Sequence, residues 1–412
     1  MTITIIIAIC ILLLIAYTFD LTTAKTKIPS VILLLIFGWG IRQLSELFEI
    51  KIPDLVPLLP LFGTLGLVLI VLEGALDLEM NKSKFTLVKK TVISAVISMF
   101  VLAFAFAFSL HYYYDFPFKI ALVNVIPLCV ISSSVAIASA GNLAGNTKEF
   151  IIYESSLSDI LGVLFFNFIA LNEMITLHSF GEFGLQLVIM FVISLIATIG
   201  LSFLLSRIDH PTKYAPIIIL MILIYALSEI YHLPALIFIL FFGLFLGNIG
   251  ELRKIKIFNI KSKNDLVLEV DKFRDIVREG AFLIKAFFFT LFGYSFHTEE
   301  IINHDTLALA FIVTASIFVV RFLILYFTRI PIFPLLYISP RGLITILLFF
   351  AIPGFQAISL VNKSLIIQVI IITSVIMMIG MMVTKKPKEQ EQKLVDEQLA
   401  SGSKSKQDKV FE

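Results

Sequence analysis

The chain of 412 residues is 59% hydrophobic and only 15% charged. A soluble domain could not bury that much apolar surface, so the composition excludes an ordinary soluble enzyme and indicates a polytopic membrane protein. The net charge of +2 says little and we expect no nucleic-acid partner. The two cysteines, Cys10 and Cys129, lie in apolar runs that do not suggest a disulfide framework.

A membrane-spanning helix needs about 20 mostly apolar residues. The first such segment, "MTITIIIAICILLLIAY", lacks the basic region and cleavage site of a signal peptide and is predicted to be a retained helix. Thirteen segments qualify as spans, at roughly residues 2–18, 28–44, 56–76, 90–111, 118–140, 150–171, 184–206, 214–231, 233–248, 279–296, 306–328, 333–352 and 364–384. We therefore predict an all-α polytopic membrane protein in which residues 1–384 form one transmembrane domain.

Two polar segments are not predicted to cross the membrane. Residues 262–278, "SKNDLVLEVDKFRDIVR", have the pattern of an amphipathic helix on the cytoplasmic surface. Residues 385–412 are mostly polar, and this composition predicts a disordered cytoplasmic tail.

Lysine and arginine collect in the loops on one side of the predicted spans. Many of them lie in the long loop 249–278, whereas the opposite loops and their edges contain only Arg42, Lys51, Lys119 and Lys363. Basic loops stay in the cytoplasm, so the N-terminus is predicted to lie outside and the C-terminus in the cytoplasm. We expect an integral protein of the bacterial inner (plasma) membrane.

The sequence contains a candidate internal repeat. Pro29 in span two and Pro234 in span nine are each followed, eight and nine residues later, by Phe-Gly. The two copies are seven spans apart in chain order, which is an odd number, so they would cross the membrane in opposite directions. Repeat one is placed at about 28–206 and repeat two at about 233–384. Inverted repeats are typical of secondary transporters, although Pro and Gly are also common in such helices by chance.

A second pair of corresponding segments predicts two interrupted helices. Span five contains Ser132, Ser133 and Ser134, which favour helix weakly, and span twelve contains Ser339 and Pro340 in "ISPRG". Proline cannot donate a backbone hydrogen bond and disfavours helix before it. Hydroxyls can replace lost backbone partners, and freed carbonyls could coordinate a cation.

Ionisable residues inside spans are costly and are hypotheses for function. The candidates are Glu73, Glu154, Asp159, Glu229, Lys285, Arg321 and Arg341. We give Glu229, Lys285 and Arg321 less weight because they could lie near an interface or be paired.

Two of these acids lie on one predicted helix, in "YESSLSDILG". Glu154 and Asp159 are five residues apart, about 140° around the helix, so they face different surroundings, whereas Ser155 and Asp159 share a face. Arg341 is the nearest obvious counter-charge, and either acid could serve it. An acid left without a fixed cation could bind a proton or a hard cation, with oxygens from Ser155 and Glu73. The alternative is that these acids are only satisfied polar anchors.

Five motifs resemble the monovalent cation/proton antiporters of the sodium/hydrogen exchanger superfamily, over about residues 25–384. They are "IVLEGALDL", "ESSLSD", "LPALIFILFFGLFLGN", "FFFTLFGYSF" and "SPRGL". The resemblance implies transport of a cation and protons without a cofactor, in homodimers, by a moving core of spans four to six and eleven to thirteen. It also implies a cation site of Asp159, Glu73, Ser155, Ser132 and Ser133, and a structural ion pair between Glu154 and Arg341.

The motifs also depart from the family pattern at two positions. Ser158 stands where the electroneutral branch has Asn, and the second Asp of the electrogenic branch is absent. We therefore expect electroneutral exchange. Ser132, Ser133 and Ser134 stand where the electroneutral branch usually reads T-D-P. Na⁺ is the expected cation, and the loss of that Asp charge beside the site keeps K⁺ as an alternative.

Three other classes of function are weighed against exchange. A cation channel would need a carbonyl filter or a ring of charges from several subunits, and no such pattern is visible. An organic-anion transporter would need Arg341 to be unpaired. An intramembrane enzyme is disfavoured, because no histidine lies beside the paired acids in sequence and no H-E-x-x-H pattern occurs.

Overall fold

A computed structural model describes residues 2–26, 28–49, 55–78, 84–140, 143, 145–172, 174–207, 210, 212–231, 233–249 and 265–384. These residues are almost entirely helical, as expected where lipid leaves backbone groups no other partner. Within the described ranges, nine helices are long and apolar enough to cross a membrane, and two further apolar helices are shorter. The predicted tail, 385–412, lies outside the described residues.

The helices are numbered in chain order. They are α1 (Thr2–Thr26), α2 (Ser30–Leu47), α3 (Leu59–Asp77), α4 (Phe85–Tyr114), α5 (Phe118–Cys129), α6 (Ser133–Ser139), α7 (Gly145–Leu171), α8 (Leu177–Arg207), α9 (Tyr214–Ile230), α10 (Ala235–Gly247), α11 (Asp265–Tyr294), α12 (Thr298–Ile301), α13 (His304–Phe327), α14 (Leu343–Phe350) and α15 (Lys363–Val383). Short 3₁₀ turns lie at Val56–Leu58, Leu335–Tyr337 and Gly354–Gln356.

Helical structure is present at every predicted span, but one predicted boundary is wrong. The surface helix predicted at 262–278 is not separate from the tenth span: residues 262–264 lie outside the described residues, and from Asp265 the helix continues without a break as α11. The side chains change from mostly polar to mostly apolar near residue 279, but the backbone hydrogen bonds of a helix do not depend on side-chain polarity. A helix can therefore leave the membrane without ending.

The two predicted helix interruptions are confirmed. The fifth span consists of α5 and α6, with Val130 to Ser132 between them, and Pro127 lies inside the last turn of α5. Ser133 and Ser134 already belong to α6, so this break begins earlier than the serine run suggested. In the twelfth span the chain is not helical between the turn Leu335–Tyr337 and α14, and this stretch includes Ser339 and Pro340.

The chain forms two compact units. The first contains Met1–Pro53, Lys82–Gly162 and Phe289–Glu412, and the second contains Asp54–Asn81 and Val163–Phe288. The first unit includes both interrupted helices, the first part of α7, and α13 and α15. It also includes α1 and α2, which the sequence analysis left outside the moving core.

Equivalent glycines of the two predicted repeats allow close helix contacts, one in each unit. In the first unit, a Cβ on Gly38 of α2 would collide with the carbonyl oxygen of Thr290. In the second unit, a Cβ on Gly243 of α10 would lie 2.6 Å from the Cβ of Ala75 on α3. The two glycines thus have the same packing role, and the inverted repeat itself stays a prediction.

Candidate functional site

The two interrupted helices of the first unit meet at their breaks. The backbone N–H of Ser132 donates to the carbonyl oxygen of Pro340 at 2.9 Å. A Cβ on Gly342 would lie 2.6 Å from the Ser132 hydroxyl oxygen and 3.0 Å from the Ser132 Cβ, so a larger residue there would displace Ser132. The contact gives a polar crossing, defined here as Val130–Ser133 and Ser339–Gly342, inside an otherwise apolar group of helices.

Asp159 of α7 faces this crossing. Its Oδ2 accepts the backbone N–H of Ser133 at 3.2 Å, and the neighbouring Ser158 hydroxyl accepts the N–H of Ile131 at 2.9 Å. Ser133 is the first residue of α6, so Asp159 satisfies a donor at the positive end of that half-helix. Asp159 is only 2% exposed, and among the described residues its Oδ1 has no hydrogen-bond partner.

Glu154, one and a half turns earlier on α7, has a fixed counter-charge. Arg321 of α13 donates from Nη1 to Oε1 at 2.9 Å and from Nη2 to Oε2 at 2.8 Å. The Ser94 hydroxyl adds a 2.6 Å bond to Oε1. Both charged side chains are 2% exposed. In such a bidentate contact, two N–H groups of the guanidinium face the two carboxylate oxygens, and the positive charge neutralises the carboxylate.

The predicted ion pair between Glu154 and Arg341 is therefore wrong. Arg341 donates from Nε to the carbonyl oxygen of Leu128 at 2.6 Å, and from Nη1 to the Ser339 carbonyl and hydroxyl oxygens at 3.0 and 3.1 Å. Leu128 is next to the last residue of α5, so the guanidinium lies at the negative end of that half-helix. A helix end, rather than an acid, provides its negative partner.

Arg341 is fully buried, and its Nη2 lacks a partner within the described ranges. No carboxylate contacts it there, which is the condition that would favour an anion transporter. However, its Nε and Nη1 are occupied by oxygens of the crossing itself. The bond from Nε to the Leu128 carbonyl joins the two interrupted helices, so this geometry favours a structural role for the arginine.

Three of the other predicted cation ligands, Ser155, Ser132 and Ser133, belong to the first unit. Ser155 lies one turn before Asp159, and its hydroxyl donates to the Ile151 carbonyl at 2.7 Å, which leaves oxygen lone pairs to accept. Ser132 and Ser134 share a hydroxyl contact of 2.9 Å. Ser133 reaches Asp159 through its N–H, so this contact supplies a donor to the carboxylate and not an oxygen to a cation.

Glu73, the remaining predicted ligand, belongs to the second unit. Its Oε2 lies 3.3 Å from the ammonium nitrogen of Lys285 on α11, a contact that the sequence analysis did not anticipate. No cluster of three or more His, Cys, Asp or Glu side chains suited to a metal occurs in the described part of the chain. Within the first unit, Glu154 is paired with Arg321, so a cation at the crossing would meet one carboxylate without a counter-charge, Asp159, and neutral oxygens.

The functional residue that the sequence analysis undervalued is Arg321. Its signal was present, because an arginine inside a span must find a partner. What sequence could not provide was the choice between Arg321 and Arg341. The two are twenty positions apart and lie on successive predicted spans.

Known proteins resemble the chain in sequence and in fold. Residues 9–385 match a family model described as "Sodium/hydrogen exchanger, transmembrane". A structure of the sodium proton antiporter MjNhaP1 from Methanocaldococcus jannaschii at pH 8 is 17% identical, with a TM-score of 0.61 over 97% of this chain and 98% of that one. An electron-microscopy map of the same antiporter gives a TM-score of 0.65 at 17% identity, over 94% and 100%. No curated protein sequence matches the chain.

Proposed function

Because the chain belongs to the sodium/hydrogen exchanger family, we propose that it exchanges a monovalent cation, Na⁺, for protons by alternating access. The observation that carries this proposal is Asp159. It is a buried carboxylate at a helix crossing, with one oxygen unpartnered among the described residues. A proton or a hard cation would satisfy that oxygen, and the two cannot occupy it together.

The proposed stoichiometry depends on how many acids near the crossing of the first unit lack a positive partner. Glu154 is neutralised by Arg321, and the residue before Asp159 is the neutral Ser158. A single carboxylate that carries either one proton or one Na⁺ has the same charge in both loaded forms. We therefore propose electroneutral exchange of one cation for one proton.

The cation would use oxygens already present near Asp159. The Ser155 hydroxyl lies one helical turn away, and the unwound stretch Val130–Ser132 leaves carbonyl oxygens outside regular helix. Glu73 is not included in this set, because its carboxylate contacts Lys285.

K⁺/H⁺ exchange is the second candidate. In place of the acid that the family's electroneutral branch has at the fifth-span break, this chain has Ser133, and its N–H points at Asp159. One negative charge fewer weakens the field at the site, which reduces the advantage of the smaller, more strongly hydrated Na⁺.

The remaining parts of the proposal concern the surroundings of the protein. We place the chain in the bacterial inner (plasma) membrane, with the N-terminus outside and the C-terminus in the cytoplasm, because of the basic loops. We also propose that it works as a homodimer, as the family resemblance implies.

The proposal is tested in everted vesicles that hold a respiration-driven proton gradient. Na⁺, Li⁺ or K⁺ is added to vesicles with the wild type, Asp159→Asn, or the exposed-site control Asp305→Asn. We expect one cation to dissipate the gradient with the wild type and the control, but not with Asp159→Asn. A rate that is unchanged when the membrane potential is collapsed would support electroneutrality. If no cation dissipates the proton gradient with the wild type, the proposed exchange is refuted.

A further inference from the structure

A buried glycine of α7, Gly162, lies on the same face of the helix as Ser158 and Asp159. The three positions are three and four residues apart, which brings them together on one side of a helix. Gly162 contacts Val130, the first residue of the break in the fifth span. A Cβ on Gly162 would collide with the Cγ2 of Val130. The glycine therefore lets the break approach α7 more closely than any larger residue would.

Two hydrogen bonds hold the same part of the break against this face of α7. The Ser158 hydroxyl accepts the backbone N–H of Ile131 at 2.9 Å, and Oδ2 of Asp159 accepts that of Ser133 at 3.2 Å. Together with the glycine contact, they attach the break to α7 at three points within the first unit. The distance from the Asp159 carboxylate to the carbonyl oxygens of the break thus depends on how closely the chain approaches α7.

The side chain of Val130 has no room to turn away from an added methyl group. Its Cγ1 and Cβ would lie only 3.2 and 3.3 Å from a Cβ at position 162, and the side chain is fully buried. A β-branched side chain is also stiff at χ1. Carbon atoms pack about 3.5–4.0 Å apart, so an alanine would force α7 and the break apart by roughly 1 Å. Whichever of the two moves, the Asp159 carboxylate and the carbonyl oxygens of the break separate.

We propose that Gly162 determines the size selectivity of the cation site, because it sets the separation between the Asp159 carboxylate and the carbonyl oxygens of the break. This inference rests on the proposed function, in which the cation uses these oxygens together. A small cation needs its oxygens closer than a large one does, and selectivity between hard cations depends on the size and flexibility of the cavity. Gly162 has no side chain to offer the cation, so it is a positioning residue.

Gly162→Ala should weaken the binding of small cations more than that of large ones. A misplacement of about 1 Å in a site costs up to about a hundredfold, so we expect the half-saturating Na⁺ concentration to rise by about tenfold or more. The rise should be largest for Li⁺ and smallest for K⁺, because a larger cation suits the wider spacing. A glycine with only a packing role would lower the rate or the yield for all cations alike.

Val130 offers a rescue of the same contact. Val130→Ala removes both methyl carbons that would meet the new Cβ, so in combination with Gly162→Ala it should return the selectivity towards that of the wild type. Gly200→Ala is the matched control. Gly200 also lies inside a long helix, α8, but it is exposed and has open space around its Cβ.

The experiment measures cation-dependent proton exchange in proteoliposomes against Li⁺, Na⁺ and K⁺ concentration. Cation-induced thermal stabilisation of the purified full-length protein gives a second reading of binding that does not depend on turnover. Both are carried out on the wild type, Gly162→Ala, the double variant with Val130→Ala, and Gly200→Ala. Gel filtration in detergent verifies folding.

The expected result is a loss of affinity in Gly162→Ala that grows as the cation becomes smaller, its reversal in the double variant, and no change in Gly200→Ala. If the wild type responds to one cation alone, its half-saturation should rise in Gly162→Ala and return in the double variant. Half-saturation that is unchanged, or raised equally for every cation, overturns the inference and leaves the proposed function standing. A double variant no closer to the wild type overturns it as well.

Two further outcomes are also decisive. If the wild type responds to no cation in either assay, the inference and the proposed function fail together. If Gly162→Ala does not fold, Val130→Ile adds a methyl group to the same contact from the other side. It should give the same size-dependent loss, and an unchanged preference among the cations would overturn the inference.

Discussion

Removal of Arg321 tests whether this arginine, and not Arg341, neutralises the buried Glu154. Arg321→Met would leave the Glu154 carboxylate with the Ser94 hydroxyl as its remaining donor among the described residues, and would leave the Leu335 carbonyl without the 2.8 Å bond from Arg321 Nε. Breaking a buried ion pair by removing one partner costs about 3–5 kcal/mol, because an uncompensated charge remains. We expect a loss of that size in the free energy of unfolding.

A double-mutant cycle separates the two arginines. In a Glu154→Gln background the uncompensated charge is gone, so Arg321→Met should cost about 1–3 kcal/mol less than it does in the wild type. Arg341→Met should cost nearly the same in both backgrounds, because its bonds go to Leu128 and Ser339.

The assay is equilibrium unfolding of the purified variants in mixed detergent micelles, followed by helical circular dichroism. Vesicle exchange with the same variants shows whether the site survives. A coupling to Glu154 that is larger for Arg341 than for Arg321 would refute the assignment of the ion pair. Equal costs for Arg321→Met in both backgrounds would refute it as well.

Two further predictions concern packing and pH. Gly38→Ala should destabilise the protein by about 1–3 kcal/mol, because its Cβ would collide with the Thr290 carbonyl. Gly40→Ala is the control: it has open space around its Cβ and should be neutral or stabilising. Equal melting temperatures for the two variants would contradict this argument. Burial alone would raise the pKa of Glu269, but hydrogen bonds, led by that from Lys213, lower it to about 2. The folded pKa lies below the unfolded value of about 4.3, so the stabilisation by Glu269 is present above pH ~4.3 and is lost as the pH falls towards 2. The difference in melting temperature between the wild type and Glu269→Gln should therefore shrink on acidification, and a constant difference would contradict the argument.

The positions of the helices could be predicted because lipid imposes a local rule. Each span must be apolar over about 20 residues and must satisfy its own backbone groups. That rule acts on consecutive residues, so a hydropathy pattern reports it directly. It also located the interruptions, since Pro340 and the serine run are local breakers of helix. It misplaced the start of α11, because side-chain polarity marks the membrane surface and not the end of a helix.

The charge partners could not be predicted in the same way. Glu154 and Arg321 are 167 positions apart, and their contact exists because α7 and α13 lie together in the first unit. Pattern reasoning named the four buried charges of the described residues, Glu154, Asp159, Arg321 and Arg341, but it also named the partly exposed Glu73 and Lys285 and the exposed Glu229. It preferred Arg341 through a family resemblance, and it had no means to see that the end of α5 would serve that arginine.

The sequence by itself determined the class of protein, the helical spans, the two breaks and the candidate acids, because composition and local backbone chemistry decide each of these. Only the tertiary structure decided which acid is neutralised and which keeps an unpartnered oxygen. It alone brought Ser132 against Pro340, and Lys285 against Glu73. Electrostatic pairing depends on distances of a few ångströms between distant parts of the chain, and helix packing alone sets those distances.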